Sequence, residues 1–452
     1  MYTVALLAAT ASASSLYSTY TFNPLEHLTG IAPYFEPQDP ASSPDPPQGC
    51  SVSKAAYLVR HAAIYANDFD YEEYIEPFIE KFQNKSNIDW SKVPELSFLK
   101  DWAPPISDAE VSLLTRVGRL EATQLGVDLN FRYPNLRIPK KIWTSSAERT
   151  NQSAHSLARG LEADEHDIKV VNVEEKKDTG ADSLTPYKAC PGYSGSAGGK
   201  QGEAFKKVYA KPIVARLNHA AEEFNFTVSD VFGMQQLCGY ETVIRGKSPF
   251  CDLKVFTPDD WLGFEYSEDV RYHYNVGYGA EISGYVGLPW LKATAAELKK
   301  KNSTDDEDLL VSFTHRELPP MVLVAMGLFN NSQFGGPENV NETLPLDRIN
   351  HRRAWKTSNI LPFLTNVAIE KLNCTGSFGY EDGEYYRTLV NSAVQDLPGC
   401  VDGPGFSCSA DGFDKYVQGR GEMFDGFAKG CGAKKGPEAL SIYGKGGNGT
   451  RH

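Results

Sequence analysis

Nowhere in the 452 residues is there a run approaching the ~20 apolar residues that a membrane-spanning helix needs, so the mature chain reads as soluble. Closely spaced cysteine pairs are missing too: no CxxC occurs. The eight cysteines are an even number at wide spacing, which suits four disulfides better than a zinc site. Positive charge is in deficit, with Lys plus Arg at 45 against Asp plus Glu at 58 and a formal charge of −13. That balance argues against nucleic acid and anionic membrane as partners. It still admits an anionic small molecule, because a few buried arginines can make one cleft positive. No internal repeat is visible, which sets aside repeat architectures.

What is present is a globular mixture, 41% hydrophobic and 23% charged, with enough apolar residue for a real core. Length alone suggests about three domains, but one large α/β domain carrying an insertion fits equally well. The chain opens MYTVALLAATASASS. Val4 to Ala9 is a short apolar run, and Ala11-Ser12-Ala13 has the small-x-small form of a signal-peptidase site, although no Lys or Arg precedes it. Residues 1–13 are therefore read as a signal peptide. Eight N-x-S/T sequons, at Asn84, Asn151, Asn225, Asn302, Asn330, Asn341, Asn373 and Asn448, join the cysteines in pointing to an oxidising, glycosylating route, hence a secreted or vacuolar protein. Asn151 lies within a motif described below and is not expected to carry sugar.

Residues 14–49 read as an N-terminal segment ending in a linker, Pro37 to Gly49, rich in Pro, Ser and Asp. Ala55 to Val59 (AAYLV), Lys141 to Ser145 (KIWTS) and Leu309 to Phe313 (LLVSF) are candidate strands. Helical spacing predicts one helix over Val111 to Phe131 and another over Ser153 to Leu161, and Pro319 and Pro320 suit the first turn of a third, running to about Leu328. Three strand-then-helix units predict an α/β fold, a mostly parallel sheet flanked by helices. The α/β unit is expected to be discontinuous, 50–177 and 307–430. The more polar, mainly helical region 178–306 is expected to be an inserted domain, and 431–452 a loosely ordered tail.

Each predicted strand is followed by residues that carry chemistry. Arg60-His61 follows the first, Arg149 begins the helix after the second, and His315-Arg316-Glu317 follows the third. Ligands of open α/β sheets bind at the carboxyl ends of the strands, so these segments would meet at one edge. Phosphoryl transfer needs such a set. Arginine forks bind phosphate oxygens in bidentate fashion, a neutral imidazole nitrogen can attack phosphorus, and a carboxyl group can protonate the leaving oxygen. No metal or other cofactor is required.

These residues stand in longer segments that resemble the histidine acid phosphatases and phytases. YLVRHAAIYAND (Tyr57 to Asp68) resembles their RHGxRxP signature, IWTSSAERTNQSA their further phosphate-binding segment, and FTHRELPPMVLVAMGLF their second histidine motif. LCGYETVIRGKSPFCDLKVFTPDDW, YHYNVGYG and YRTLVNSAVQDLPGC also look like family segments in the right order, so the likeness covers nearly everything from Cys50 to Cys431. It implies an α/β domain with a smaller helical domain over the cleft, a phosphorylated small-molecule substrate, His61 as nucleophile, Glu317 as proton donor, and Arg60, Arg149 and His315 as phosphate ligands. It also implies four disulfides: Cys50 with Cys374, Cys190 with Cys431, Cys238 with Cys251, and Cys400 with Cys408.

The chain departs from the signature at Ala62, Ile64 and Ala66. Ile64 stands where the family has an arginine, and losing one such donor commonly costs about 2.7–4 kcal/mol in the transition state. Three explanations are open. Arg316 or Arg245 fills the place, the enzyme is slow or specialised, or the scaffold has been taken over for binding or another reaction. If Ile64 simply makes that wall of the pocket apolar, phosphatase activity should be weak or narrow and Ile64→Arg should raise it.

Overall fold

A computed structural model describes residues 22–36, 43–162, 167–300, 307–331 and 343–445; the expected signal peptide lies outside them. At its centre is one sheet. Its strands are β1 (Cys50–Arg60), β2 (Lys141–Ser145), β3 (Lys169–Val173), β4 (Leu309–Thr314), β5 (Asn366–Cys374), β6 (Gly383–Val390), β7 (Ala393–Gln395) and β8 (Cys408–Ser409). They lie in the order β3-β2-β4-β1-β5-β6-β7, with β8 also on β6. The β3-β2-β4-β1 half is parallel and contains the three strands predicted from sequence. The half from β5 onward is antiparallel, so the α/β expectation holds and the sheet is mixed.

Burial on both faces explains the apolar runs. Ala55, Tyr57 and Val59 of β1 join the core on one side of the sheet, and Ala56 and Leu58 join the core on the other. The first side is covered by α3 (Arg116–Arg132) and α4 (Glu148–Gly160), which pack on each other. The second is covered by α8 (Ser283–Leu298) and α9 (Leu318–Met326). A third group of helices, α5 (Gly199–Ala220), α6 (Val228–Arg245) and α7 (Pro258–Asn275), packs with residues from α1 (Asp68–Asp70) through α2 (Glu76–Asn84). Aromatic contacts such as Tyr74 on Phe232 and Phe78 on Phe224 join these segments. Capping boxes start α6 at Thr227/Asp230 and α7 at Thr257/Asp260.

Two readings are corrected. The helix predicted from Val111 begins at Arg116, because Thr115 caps it. Residues 112–115 instead pair with the loop after β1: the Tyr65 N–H donates to the Leu113 carbonyl at 2.9 Å and the Thr115 N–H to the Ala63 carbonyl at 3.0 Å. The C-terminal segment is not loose as far as residue 445. Ile442 is fully buried, and the Tyr443 hydroxyl meets the Thr294 hydroxyl at 2.7 Å. The four disulfides are Cys50–Cys374, Cys190–Cys431, Cys238–Cys251 and Cys400–Cys408. They are the pairings the resemblance implies, and Cys50 and Cys374 are direct cross-strand partners of β1 and β5.

Helix α3 holds the loop after β1 because Gly118 lets the backbones touch. A Cβ there would lie 2.3 Å from the Ala63 carbonyl oxygen. Gly118→Ala is therefore expected to destabilise the protein by about 1–3 kcal/mol. Urea unfolding of the variant measures this, and an unchanged midpoint would contradict the packing argument.

Candidate active site

The β1–β4 pair places both histidines. Arg60 lies opposite Thr314 in parallel register, and the His61 N–H donates to the Thr314 carbonyl at 2.8 Å. His61 and His315 thus leave neighbouring strands at the same edge, with ring centroids 5.6 Å apart and an interplanar angle of 71°. Strand β2, beside β4, leads into α4, whose first turn carries Arg149. Ser153 on α4 ties this helix to the nucleophile loop: its hydroxyl accepts from the Ala62 N–H at 2.9 Å and donates to the Arg149 carbonyl at 2.7 Å. Glu317 is the N-cap residue of α9, and its side chain makes no capping bond. Arg60, His61, Arg149, His315 and Glu317 therefore gather at the carboxyl ends of the parallel strands.

Hydrogen bonding fixes which atoms are free. The His61 Nδ1–H donates to the Ala62 carbonyl at 2.9 Å, which leaves Nε2 with its lone pair. Burial, reinforced by Arg60, Arg149 and His315, holds the His61 pKa well below 6.5, so the ring is neutral into the acid range. Arg60 donates from Nη1 to the carbonyls of Gly30, at 2.7 Å, and Leu361, and its Cζ lies 4.3 Å from the Phe363 ring centroid. Burial, then Arg316, lowers its pKa to about 9, and it stays cationic in acid and at neutrality. His315 directs Nε2 to Glu175 at 3.1 Å; burial lowers its pKa despite that carboxylate. Burial would raise the Glu317 carboxyl, but Arg316, His315 and Arg60 outweigh it and hold it below the ordinary value.

Among the described residues, three buried polar atoms of this cluster have no partner: Nε of Arg60, Nε of Arg149 and Nδ1 of His315. Buried donors are rarely left so. A tetrahedral oxyanion lying among them would accept from the two guanidiniums and from His315 once Nδ1 carries a proton.

Glu175 was not among the candidates. It follows β3, and it accepts from the Ala147 N–H at 3.1 Å and from Lys188 as well as facing His315. Burial raises its carboxyl, yet His315 and Lys188 together hold it well below the ordinary carboxylate range. The available signal was the short run KVVNV before Glu174-Glu175, a fourth strand with an acid at its carboxyl end.

Of the two proposed stand-ins for the arginine missing at position 64, Arg245 is occupied elsewhere. It donates to the Ala103 and Pro104 carbonyls at 3.0 and 3.1 Å and to Glu241 at 3.0 Å. Ile64 is only 3% exposed, bridges to Leu114 and belongs to the apolar core. Its side chain is packed as an apolar member of that core.

The sequence model described as histidine phosphatase superfamily (branch 2) matches residues 52–391. An acid phosphatase of Komagataella pastoris is 30% identical over 93% of this chain and 90% of its own. A thiamine-repressible acid phosphatase of Schizosaccharomyces pombe is 32% identical over 86% of this chain and 84% of its own. In fold, the crystal structure of the phytase from D. castellii superposes with a TM-score of 0.83 at 24% identity, covering 97% of this chain and 95% of that one.

Ile64→Arg would put an unpaired guanidinium into the core against Leu114. It is expected to destabilise by about 3–5 kcal/mol and not to raise turnover. Thermal unfolding and a phosphatase assay on the variant check this; higher turnover with an unchanged melting temperature would overturn it.

Proposed function

Because the chain belongs to branch 2 of the histidine phosphatase superfamily and is a phosphatase, we propose that it is a secreted acid phosphomonoesterase working through a phosphohistidine on His61. The reading is supported above all by one set of observations: His61 is a neutral imidazole with a free Nε2, the charges of Arg60, Arg149 and His315 act on it, and Nε of Arg60, Nε of Arg149 and Nδ1 of His315 are buried without a partner among the described residues. In the first step Nε2 of His61 forms a bond to phosphorus as the ester P–O bond breaks, and the Glu317 carboxyl gives its proton to the leaving oxygen. In the second, water attacks phosphorus, the P–N bond breaks, and the Glu317 carboxylate takes the proton from that water. Arg60 and Arg149 hold the equatorial oxygens and meet the developing charge with preorganised donors. Glu175 orients His315 from behind.

The substrate in this reading is a phosphate monoester of a small molecule. A phytase of Candida albicans, 28% identical over 94% of this chain, stands beside the acid phosphatases among the relatives, so inositol phosphates belong to the substrates to be assayed. Tyr240 and Tyr272, from the segment read as the inserted unit, lie close enough to Arg60 to act on it electrostatically. Secretion is supported by the four disulfides and by exposed sequons at Asn84, Asn225 and Asn373.

Rapid alkaline quench during turnover of a radiolabelled ester, under which the P–N bond survives, should trap phosphate on His61, and His61→Ala should trap none. Glu317→Gln should slow alkyl phosphates far more than nitrophenyl phosphate, whose leaving group needs little protonation; equal losses on both would remove Glu317 as the acid.

The pH profile follows from the same groups. His61 must be neutral and Glu317 protonated. Since the His61 pKa lies well below 6.5 and that of Glu317 below 4.5, kcat/KM should peak in acid and fall as pH rises towards neutrality. An optimum at or above about pH 7 would contradict these assignments.

A further inference from the structure

The family signature lacks its second arginine in this chain, and Ile64 faces the core. Yet an arginine does stand at the neighbouring strand end. Arg316 lies between His315 and Glu317, immediately after β4, where the β1–β4 register brings it beside the exit of β1. Its side chain is about four-fifths buried, at 21% relative exposure. Its Cζ sits 5.5 Å from the centroid of the Tyr272 ring, and Arg271 approaches the same ring at 5.4 Å. The Tyr272 hydroxyl and Arg60 Nη1 lie 3.8 and 3.9 Å from the point where Gly30 would carry a Cβ. Tyr272 therefore spans the gap between Arg316 and Arg60.

The bonding of Arg316 is incomplete. Its one hydrogen bond among the described residues runs from Nε to Glu317 Oε1 at 3.4 Å, and Glu317 is also its one ion-pair partner there. Neither Nη group donates to another described residue. Buried structural arginines of this protein look different: Arg353 donates to Asp269, Glu265 and the Asn350 carbonyl, and Arg387 to Glu370 and the carbonyls of Pro44 and Asp45. Arg60 and Arg316 are close enough for the charge of Arg316 to act on Arg60. Two guanidiniums in a low-dielectric cleft repel, and the arrangement is relieved by an anion that both can reach. Asp70 and Tyr240, whose oxygens are bonded to each other at 2.6 Å, also act on Arg316 from the helical side.

We propose that Arg316 is the third phosphate-binding guanidinium of this pocket, supplied by the loop after β4 in place of the one that position 64 no longer provides. The proposal rests on the phosphatase reading above. It also gives Arg316 a second effect. Burial raises the Glu317 carboxyl, and Arg316, ahead of His315 and Arg60, pulls it down. Removing Arg316 should therefore keep Glu317 protonated to higher pH.

The test uses the full chain and the variants R316A and R316K. Measured quantities are the inhibition constant and calorimetric affinity of inorganic phosphate, kcat and KM for nitrophenyl phosphate, and the pH profile of kcat/KM. R316A is expected to weaken phosphate at least tenfold, to lower kcat/KM by about 10²–10³, and to move the alkaline limb upward. R316K is expected to recover part of the phosphate affinity. Phosphate affinity within twofold of the parent in folded R316A, with the limb unmoved, would overturn the proposal. Should R316A fail to fold, R316K decides: parental phosphate affinity and rate there would sink the bidentate role, and a loss of both would support it. An inactive parent that still binds phosphate, with the affinity lost in R316A, would refute the phosphatase reading and leave the Arg316 site standing.

Discussion

Everything at the site depends on the parallel pairing of β1 with β4. Parallel neighbours end at the same edge, so one register places the residues after Arg60 and the residues after Thr314 side by side. A slip of one position would turn every β1 side chain to the opposite face of the sheet. It would exchange the two cores that Ala55, Tyr57 and Val59, and Ala56 and Leu58, now fill. The register is therefore held by burial on both faces, and the catalytic geometry inherits that precision. The remaining elements act on this frame: α3 and α4 fix the loop after β1, and Glu317 stands at the N-cap of α9.

The second governing effect is electrostatic. Burial works against each charged group in the site, and the protein answers it unequally. Glu175 is ionised because Lys188 and His315 share its charge. His61 is left neutral because its bond to the Ala62 carbonyl offsets burial only in part and two arginines oppose a proton. Away from the site, Glu370 is satisfied by Arg387 and the Tyr133 hydroxyl, and that network is closed. At the site the arginines are left with unused donors, the signature of a cavity organised for a charge that arrives from outside.

How far the sequence could be read follows from the range of the interactions concerned. Lys141 to Ser145 was found at its actual bounds because its apolar run is local. The start of α3 was misplaced because Ser112 takes a φ of +65° and the segment pairs with a distant loop, neither of which periodicity records. Strand β5 was missed as a buried strand because it carries Glu370 and Lys371, both buried. Glu370 is tolerated through Arg387 on β6 and Tyr133 after α3; Lys371 is paired with Glu384 at 2.8 Å. Glu175 is an unremarkable acid until Lys188 and His315 surround it. Ile64 occupies an arginine position in the motif and a core position in the fold, and only the backbone pairing of its loop reveals the second.

The Cys50–Cys374 bond joins residues 324 apart. During synthesis at about 5–20 residues per second, Cys50 would wait roughly 16–65 s before its partner exists. Strand β1 has no neighbour in the meantime either, since β4 and β5 are both encoded far downstream. The most central strand of the sheet is thus made early and completed late. A nascent chain must be kept from pairing its first thiol with Cys190, Cys238 or Cys251, all of which emerge sooner than Cys374. The architecture consequently places a demand on chaperones and disulfide isomerases that a fold with local pairings would not.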